Sequence, residues 1–252
     1  MASLVFSVCA PARADVKLPS VFGSHMVLQR DMPVPVWGWA EPGEEITLRF
    51  GSLKKTTKAD EQGNWRVVLK KLKASKKRGK QMEITGKNSS IVLQNILIGD
   101  VWVGSGQSNM EWSVSGSRKG GQMIRTAKFP AIRLFLIPKV QKGAPDRTVN
   151  ASWKVCTPQT VPSFSAVLYY FGLKLQTDLK VPMGLIASSW GGSRIEPWTV
   201  HANSNAGGGM YNGMIAPIVP FAIKGAIWYQ GESNVGNGLG YHDLKKNLVE
   251  GW

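Results

Sequence analysis

Apolar and polar positions alternate in short stretches through the first part of the chain, then give way to compact apolar runs. VPVWGW, EITLRF and NWRVVL, at 34–39, 45–50 and 64–69, carry β-branched and aromatic residues in partial alternation, which predicts strands with one buried face. Glu41-Pro-Gly-Glu44 and Asp60-Glu-Gln-Gly-Asn64 supply turn chemistry between them, and QMEITG and SIVLQNILIG add two more strands. Strands this short, with no helical pattern between them, predict a small antiparallel β-sandwich over residues 17–97.

Past Gly99 the pattern changes. VWVGSG, AIRLFLIP, MGLIASSW and KGAIWYQG are continuous apolar runs that each end in Gly, Ser or Pro, as buried parallel strands do where they open into loops. Between the second and third, Val167, Tyr170, Phe171 and Leu175 recur at helical spacing before the stop signal Lys180-Val-Pro182. The alternation predicts an α/β domain over 98–252, a doubly wound parallel sheet whose ligands bind beyond the carboxyl ends of its strands. YHDLKKNLVEGW starts another helix, which leaves AIWYQ at an unfinished edge and the sheet incomplete.

Composition changes this picture little. A chain of 252 residues with 43% hydrophobic residues and 10 Trp can build a substantial core. Of its formal net charge of +15, +9 comes from eleven basic and two acidic residues between Lys54 and Lys80; most of that excess lies in KKLKASKKRGK, which reads as a solvated loop between strands rather than a nucleic-acid surface. At the N-terminus, a short apolar stretch followed by Ala12-Arg13-Ala14 fits signal-peptide cleavage after Ala14, which predicts export to the periplasm or beyond. Such cleavage leaves Cys156 alone, so no disulfide framework is expected, and no later segment is long and apolar enough to span a membrane.

The chemistry is expected in the loops after the parallel strands. Three combine Gly, which lets a backbone approach a ligand closely, with hydrogen-bonding side chains: Gly104-Ser-Gly-Gln-Ser-Asn-Met110, Ser188-Ser-Trp-Gly-Gly-Ser193 and Gln230-Gly-Glu-Ser-Asn234. Each alone reads as an ordinary turn. Three at successive strand ends converge on one place.

GDVWVGSGQSNMEW, GLIASSWGGSRIEPW and AIWYQGESN resemble three segments of the sialate O-acetylesterases and related carbohydrate acetylesterases, a branch of the SGNH (GDSL-like) hydrolases. LPSVFGSHMVLQRDMPVPVWGWAEPGEEITLRF is similar to the β-domain that precedes the esterase domain in longer members, so the resemblance runs from about Lys17 to Trp252. It implies a serine esterase that hydrolyses acetyl esters on sugars or sialic acid without metal or organic cofactor. It also implies that Ser108 is the nucleophile. A serine between a strand and a helix exposes its hydroxyl and its own N–H, and can attack a carbonyl and help hold the oxyanion. Gly191 and Gly192 are expected to offer a second N–H donor, and Asn234 or Gln230, with Asn234 favoured, a third. Arg194 is a candidate for a sialate carboxylate, with a salt bridge to Glu196 as its structural alternative. Trp112, Trp190 and Trp198 lie beside the loops as candidates for stacking on a sugar, whereas Trp37, Trp39, Trp65 and Trp102 fall in strand patterns and read as core. Asn109 and Glu232 read as loop braces, with Glu232 also able to touch substrate.

A serine hydroxyl needs a base, and the family supplies a histidine three residues after an aspartate. None of the seven aspartates here has one at that spacing. His25 falls in the β-domain, His201 follows the second loop, and His242 adjoins Asp243 on a helix where neighbours point apart. The expectation is a fragment inactive for lack of its Asp-x-x-His. A non-catalytic carbohydrate-binding protein is the alternative.

Overall fold

The computed structural model describes residues 15–75, 79–200 and 208–252. The export expectation at residues 1–14, Lys76, Lys77 and Arg78 of the basic run, and His201 lie outside them.

Six strands open the described chain: β1 (Val27–Gln29), β2 (Val34–Trp39), β3 (Glu45–Phe50), β4 (Leu53–Lys58), β5 (Asn64–Leu69) and β6 (Lys80–Thr85). The alternation read from the sequence is physical: in β3 Ile46, Leu48 and Phe50 point inward, and in β5 Trp65, Val67 and Leu69 do. β2 pairs antiparallel with β5, while β3 pairs antiparallel with both β4 and β6. Side chains of both ladders, among them Val36, Trp65, Ile46, Leu48 and Ile84, meet in one core.

The longest strand, β7 (Ser90–Gly106), crosses from this antiparallel part into the rest. Residues 90–96 pair antiparallel with β6, residues 97–99 parallel with β1, and residues 100–106 parallel with a later strand. The change of composition at residue 97 therefore falls inside a strand, not in a linker. The two parts are also tied by polar contacts. Arg30 grips Asp100 with Nε and Nη2, each at 2.9 Å, and Gln29 bonds to Asp100 and to the Val101 N–H.

After β7 come α1 (Ser108–Glu111), α2 (Gly120–Thr126), β8 (Phe129–Leu136), β9 (Trp153–Cys156), α3 (Ala166–Leu179), β10 (Met183–Ser189), β11 (Gly225–Tyr229) and α4 (Tyr241–Gly251). The sheet runs β11-β7-β10-β8-β9, parallel except for β9, which pairs antiparallel with β8. Every residue of β10 is buried, as a central parallel strand covered on both faces requires. On one face lies α3, capped by the Ser165 hydroxyl on the Leu168 N–H and ended by Lys180 in a left-handed turn just before Pro182. Against the other face, Val101, Val103 and Ile186 join the core shared with the antiparallel part. Helix α2 and strand β9 had no counterpart in the sequence reading.

β11 pairs only with β7 among the described residues, so it is an edge, and its Ala226 and Tyr229 are exposed. Because β8 and β10 lie on one side of β7 and β11 on the other, the winding reverses across β7. That reversal is where open α/β sheets bind ligands, and Ser108 follows β7 directly.

Candidate active site

Backbone bonds bring three strand ends together. The Gln107 N–H donates to the Tyr229 carbonyl at 3.0 Å and the Trp190 N–H to the Gly106 carbonyl at 3.0 Å. Gly106 makes this approach possible: its φ is +137°, and a Cβ there would lie 2.1 Å from the Tyr229 oxygen.

Past this junction the chain turns once as α1, with the Trp112 N–H on the Ser108 carbonyl at 2.9 Å, and leaves Ser108 exposed. The helix is a single turn, so its dipole contributes little; what Ser108 gains is an exposed hydroxyl and a backbone N–H at the first helical position, which needs a partner from outside the helix. Gln107 points inward instead, its Oε1 accepting from Gln230 Nε2 at 3.2 Å and from the Ser233 N–H at 3.3 Å.

The second loop passes directly over Ser108: a Cβ built on Gly191 would sit 3.6 Å from the Ser108 Cβ and 3.0 Å from Glu111 Oε2. The Gly191 N–H donates to that Glu111 oxygen. Gly192 holds the left-handed turn, φ +74°, with open space where a side chain would be. The loop after β8 enters here as well, because Lys139 Nζ lies 2.6 Å from Glu111 Oε1 and 6.0 Å from the centre of the Trp190 ring. From the third loop, Glu232 Oε1 accepts from Asn109 Nδ2 at 2.5 Å, a brace between the first and third loops.

Gln230 and Asn234 are both buried, and their amides are committed inside the loops. Gln230 Nε2 donates to Asn234 Oδ1 at 2.7 Å, with Ser193 O and Gln107 Oε1 also in range. Asn234 Nδ2 faces the Glu196 carboxylate at 3.1 Å and Asn237 Oδ1 at 3.2 Å, while its Oδ1 also accepts from the Ile195 N–H at 2.9 Å. Both residues act here as braces that hold the second loop to the third, rather than as amide donors presented to Ser108.

Arg194 takes its structural alternative. Its Nη2 pairs with Glu196 at 2.8 Å and reaches Asn237 Oδ1 at 2.9 Å, and its Nη1 donates to the Ser233 carbonyl at 3.1 Å. Burial raises the Glu196 pKa, but the hydrogen bonds from Arg194 and Asn234 outweigh it and hold the carboxyl below its ordinary range.

Trp198 is a correction. Its ring is fully buried, hydrogen-bonded through Nε1 to the Ser193 hydroxyl at 3.0 Å and edge-on to Trp228, because the 3-10 turn Glu196–Trp198 tucks it beneath the loop. It cannot stack on a sugar. Trp112, 58% exposed, is free to do so, and Trp190 is half-buried.

His242 needs a second correction: its Nδ1 comes within 3.5 Å of Asp243 Oδ1, since at the exposed start of α4 both side chains can swing together through solvent. His25 lies under the antiparallel part beside Asn95 and Arg133. Among the described residues no hydrogen bond reaches the Ser108 hydroxyl, and no group of three His, Cys, Asp or Glu could hold a metal ion. The sequence reading missed Gln107, Glu111, Lys139 and Tyr241, whose hydroxyl lies 2.7 Å from Gln230 Oε1 and 2.8 Å from the Gln230 carbonyl. Glu111 could have been found, since it stands one helical turn after Ser108.

A winding reversal across a mostly parallel sheet, with an exposed serine under convergent Gly-rich loops, defines an α/β protein with a candidate serine site at the switch point of its sheet. The chain belongs to the carbohydrate esterase family described as sialic acid-specific acetylesterase, whose model matches residues 98–250. It is 30% identical to human (Homo sapiens) sialate O-acetylesterase over 94% of this chain and 52% of that protein. To the mouse (Mus musculus) sialate O-acetylesterase it is 28% identical, over 99% of this chain and 58% of that one. A crystal structure of a carbohydrate acetylesterase from Xanthomonas citri superposes with a TM-score of 0.89 at 35% identity, over 93% of this chain and 56% of that one. The chain thus spans about half the length of the relatives it matches.

Proposed function

We propose that these residues carry the nucleophile half of a sugar O-acetylesterase, acting on acetylated sugars with sialic acids among them. The observation that carries this reading is the exposed Ser108 beneath the Gly191–Gly192 turn, inside the segment that matches the esterase family. Ser108 Oγ would add to the acetyl carbonyl, with the N–H groups of Ser108 and Gly192 as donors for the oxyanion. The bond to the sugar oxygen then breaks, the sugar hydroxyl leaves with a proton, and water hydrolyses the acetyl-serine. Trp112 offers its exposed face to the sugar ring.

No Asp-x-x-His occurs in the 252 residues and nothing described bonds to the Ser108 hydroxyl, so these residues alone should turn over acetyl esters slowly or not at all. Concentrated fluorophosphonate followed by peptide mapping tests the nucleophile: the adduct is expected on Ser108 and absent in Ser108→Ala. An unchanged mass would favour a carbohydrate-binding protein without chemistry, the reading that the unpartnered hydroxyl also suits. Robust p-nitrophenyl acetate hydrolysis that vanishes in Ser108→Ala would refute the low turnover.

A further inference from the structure

Glu111 stands one helical turn after the candidate nucleophile, both lie against Gly191, and its surroundings are built. One carboxylate oxygen accepts the Gly191 N–H, and the other is 2.6 Å from Lys139 Nζ. Three strand-end segments thereby meet in one contact: α1 after β7, Lys139 after β8 and Gly191 after β10. Gly191 and Gly192 together have no side chain to fix their peptide planes, and Gly192 meets nothing that would pack against it. Orientation has to come from outside the turn, and the charge-assisted bond from Glu111 supplies it at Gly191.

We propose that Glu111 is a positioning residue for the esterase reaction: braced by Lys139, its carboxylate clamps the Gly191 amide and so sets the Gly191–Gly192 turn against Ser108. The proposal rests on the reading of Ser108 as the nucleophile. It has a chemical corollary. With its N–H committed to Glu111, Gly191 serves the site as a spacer, and the oxyanion falls to the next amide, Gly192. Lys139 matters for charge as well as geometry, because an unpaired carboxylate this close would oppose the negative charge that develops on the acetyl oxygen.

Methylboronic acid is a probe that needs no general base. Its trigonal boron bonds to Ser108 Oγ, the serine proton passes to solvent, and the tetrahedral boronate places an anionic hydroxyl where the oxyanion would form. Binding to the full chain is followed by boron NMR, and the Gly191 amide by proton–nitrogen correlation spectra. Glu111→Ala should weaken the adduct about tenfold or more, given that losing one oxyanion donor costs on the order of a hundredfold in rate. Glu111→Gln, whose amide oxygen can still accept from Gly191, should stay within about threefold of wild type by the same reasoning. The Gly191 amide proton should move upfield in Glu111→Ala and keep its place in Glu111→Gln. Lys139→Met should weaken the adduct in the wild-type background and much less in Glu111→Gln.

A folded Glu111→Ala that binds methylboronic acid as wild type does, or Glu111→Gln as impaired as Glu111→Ala, would overturn the clamp. Should wild type form no adduct while Gly191 still shifts in Glu111→Ala, the contact stands but the nucleophile reading fails, and the catalytic role fails with it.

Discussion

Trp112 and Trp198 carry the same indole into opposite surroundings, and only the structure separates them. Sequence position placed both beside a strand-end loop; depth is set by the 3-10 turn that buries one and the sharp exit from α1 that exposes the other. Trp198→Ala should therefore cost about 3–5 kcal/mol in chemical denaturation, the usual loss for emptying a buried aromatic site. Trp112→Ala should stay within about 0.5 kcal/mol of wild type while weakening binding of acetylated sugar, measured by titration. Gly191 makes a different test. A methyl group at Gly191 would lie 3.0 Å from Glu111 Oε2, which must give by a few tenths of an ångström, while its 3.6 Å to the Ser108 Cβ is ordinary contact, so Gly191→Ala is expected to slow Ser108 labelling in a chain that melts as wild type does. The small and polar composition of the loops made their meeting at one place legible. The commitments of Gln230, Asn234 and Arg194 were not, because an amide or a guanidinium suits a brace and a ligand equally until its neighbours across the chain are known.

At the level of elements, the strands with clear periodicity were legible and the joints between them were not. β3, β5 and β10 follow period-2 or fully apolar patterns, and α3 follows its helical spacing between a serine cap and a proline stop. β7 was divided at residue 97 because its first half is partly exposed and its second half is buried almost throughout, which is the mark of one strand serving two kinds of sheet. β9 is four residues long, too short for any period to register. The edge position of β11 was legible, and its consequence is testable. An open edge with an exposed Ala226 is a template for pairing between chains, and natural edges are guarded by lysine. Ala226→Lys should raise the concentration at which the chain stays monomeric in light scattering, with little change in melting temperature.

Across the whole molecule, two buried polar contacts tie the antiparallel part to the parallel sheet, and both respond to pH. Asp100 is almost fully buried at the joint; burial raises its pKa, but hydrogen bonds from Arg30 and Gln29 outweigh that and hold the carboxyl below the usual 3.8. His25, which sits against the buried Arg133 at 3.4 Å, is held below the usual 6.5, first by burial and then by the guanidinium charge. The signs follow from which state binds the proton. Below about pH 6.5 the unfolded chain protonates its histidine while the folded chain resists, so the stability tied to His25 declines as pH falls toward its folded value. The contribution of Asp100 is complete above about pH 4 and disappears only as pH drops through its lowered folded value. Thermal melting should therefore weaken in two acid steps. His25→Asn, which tolerates the left-handed backbone at φ +71°, should flatten the step that begins below about pH 6.5. Asp100→Asn should lower stability at pH 7 by about 2 kcal/mol, a partner lost from a buried pair discounted for the partly exposed Arg30, and should erase the lower step. Melting curves for both variants that keep the wild-type pH slope would show that the acid response of the fold lies elsewhere.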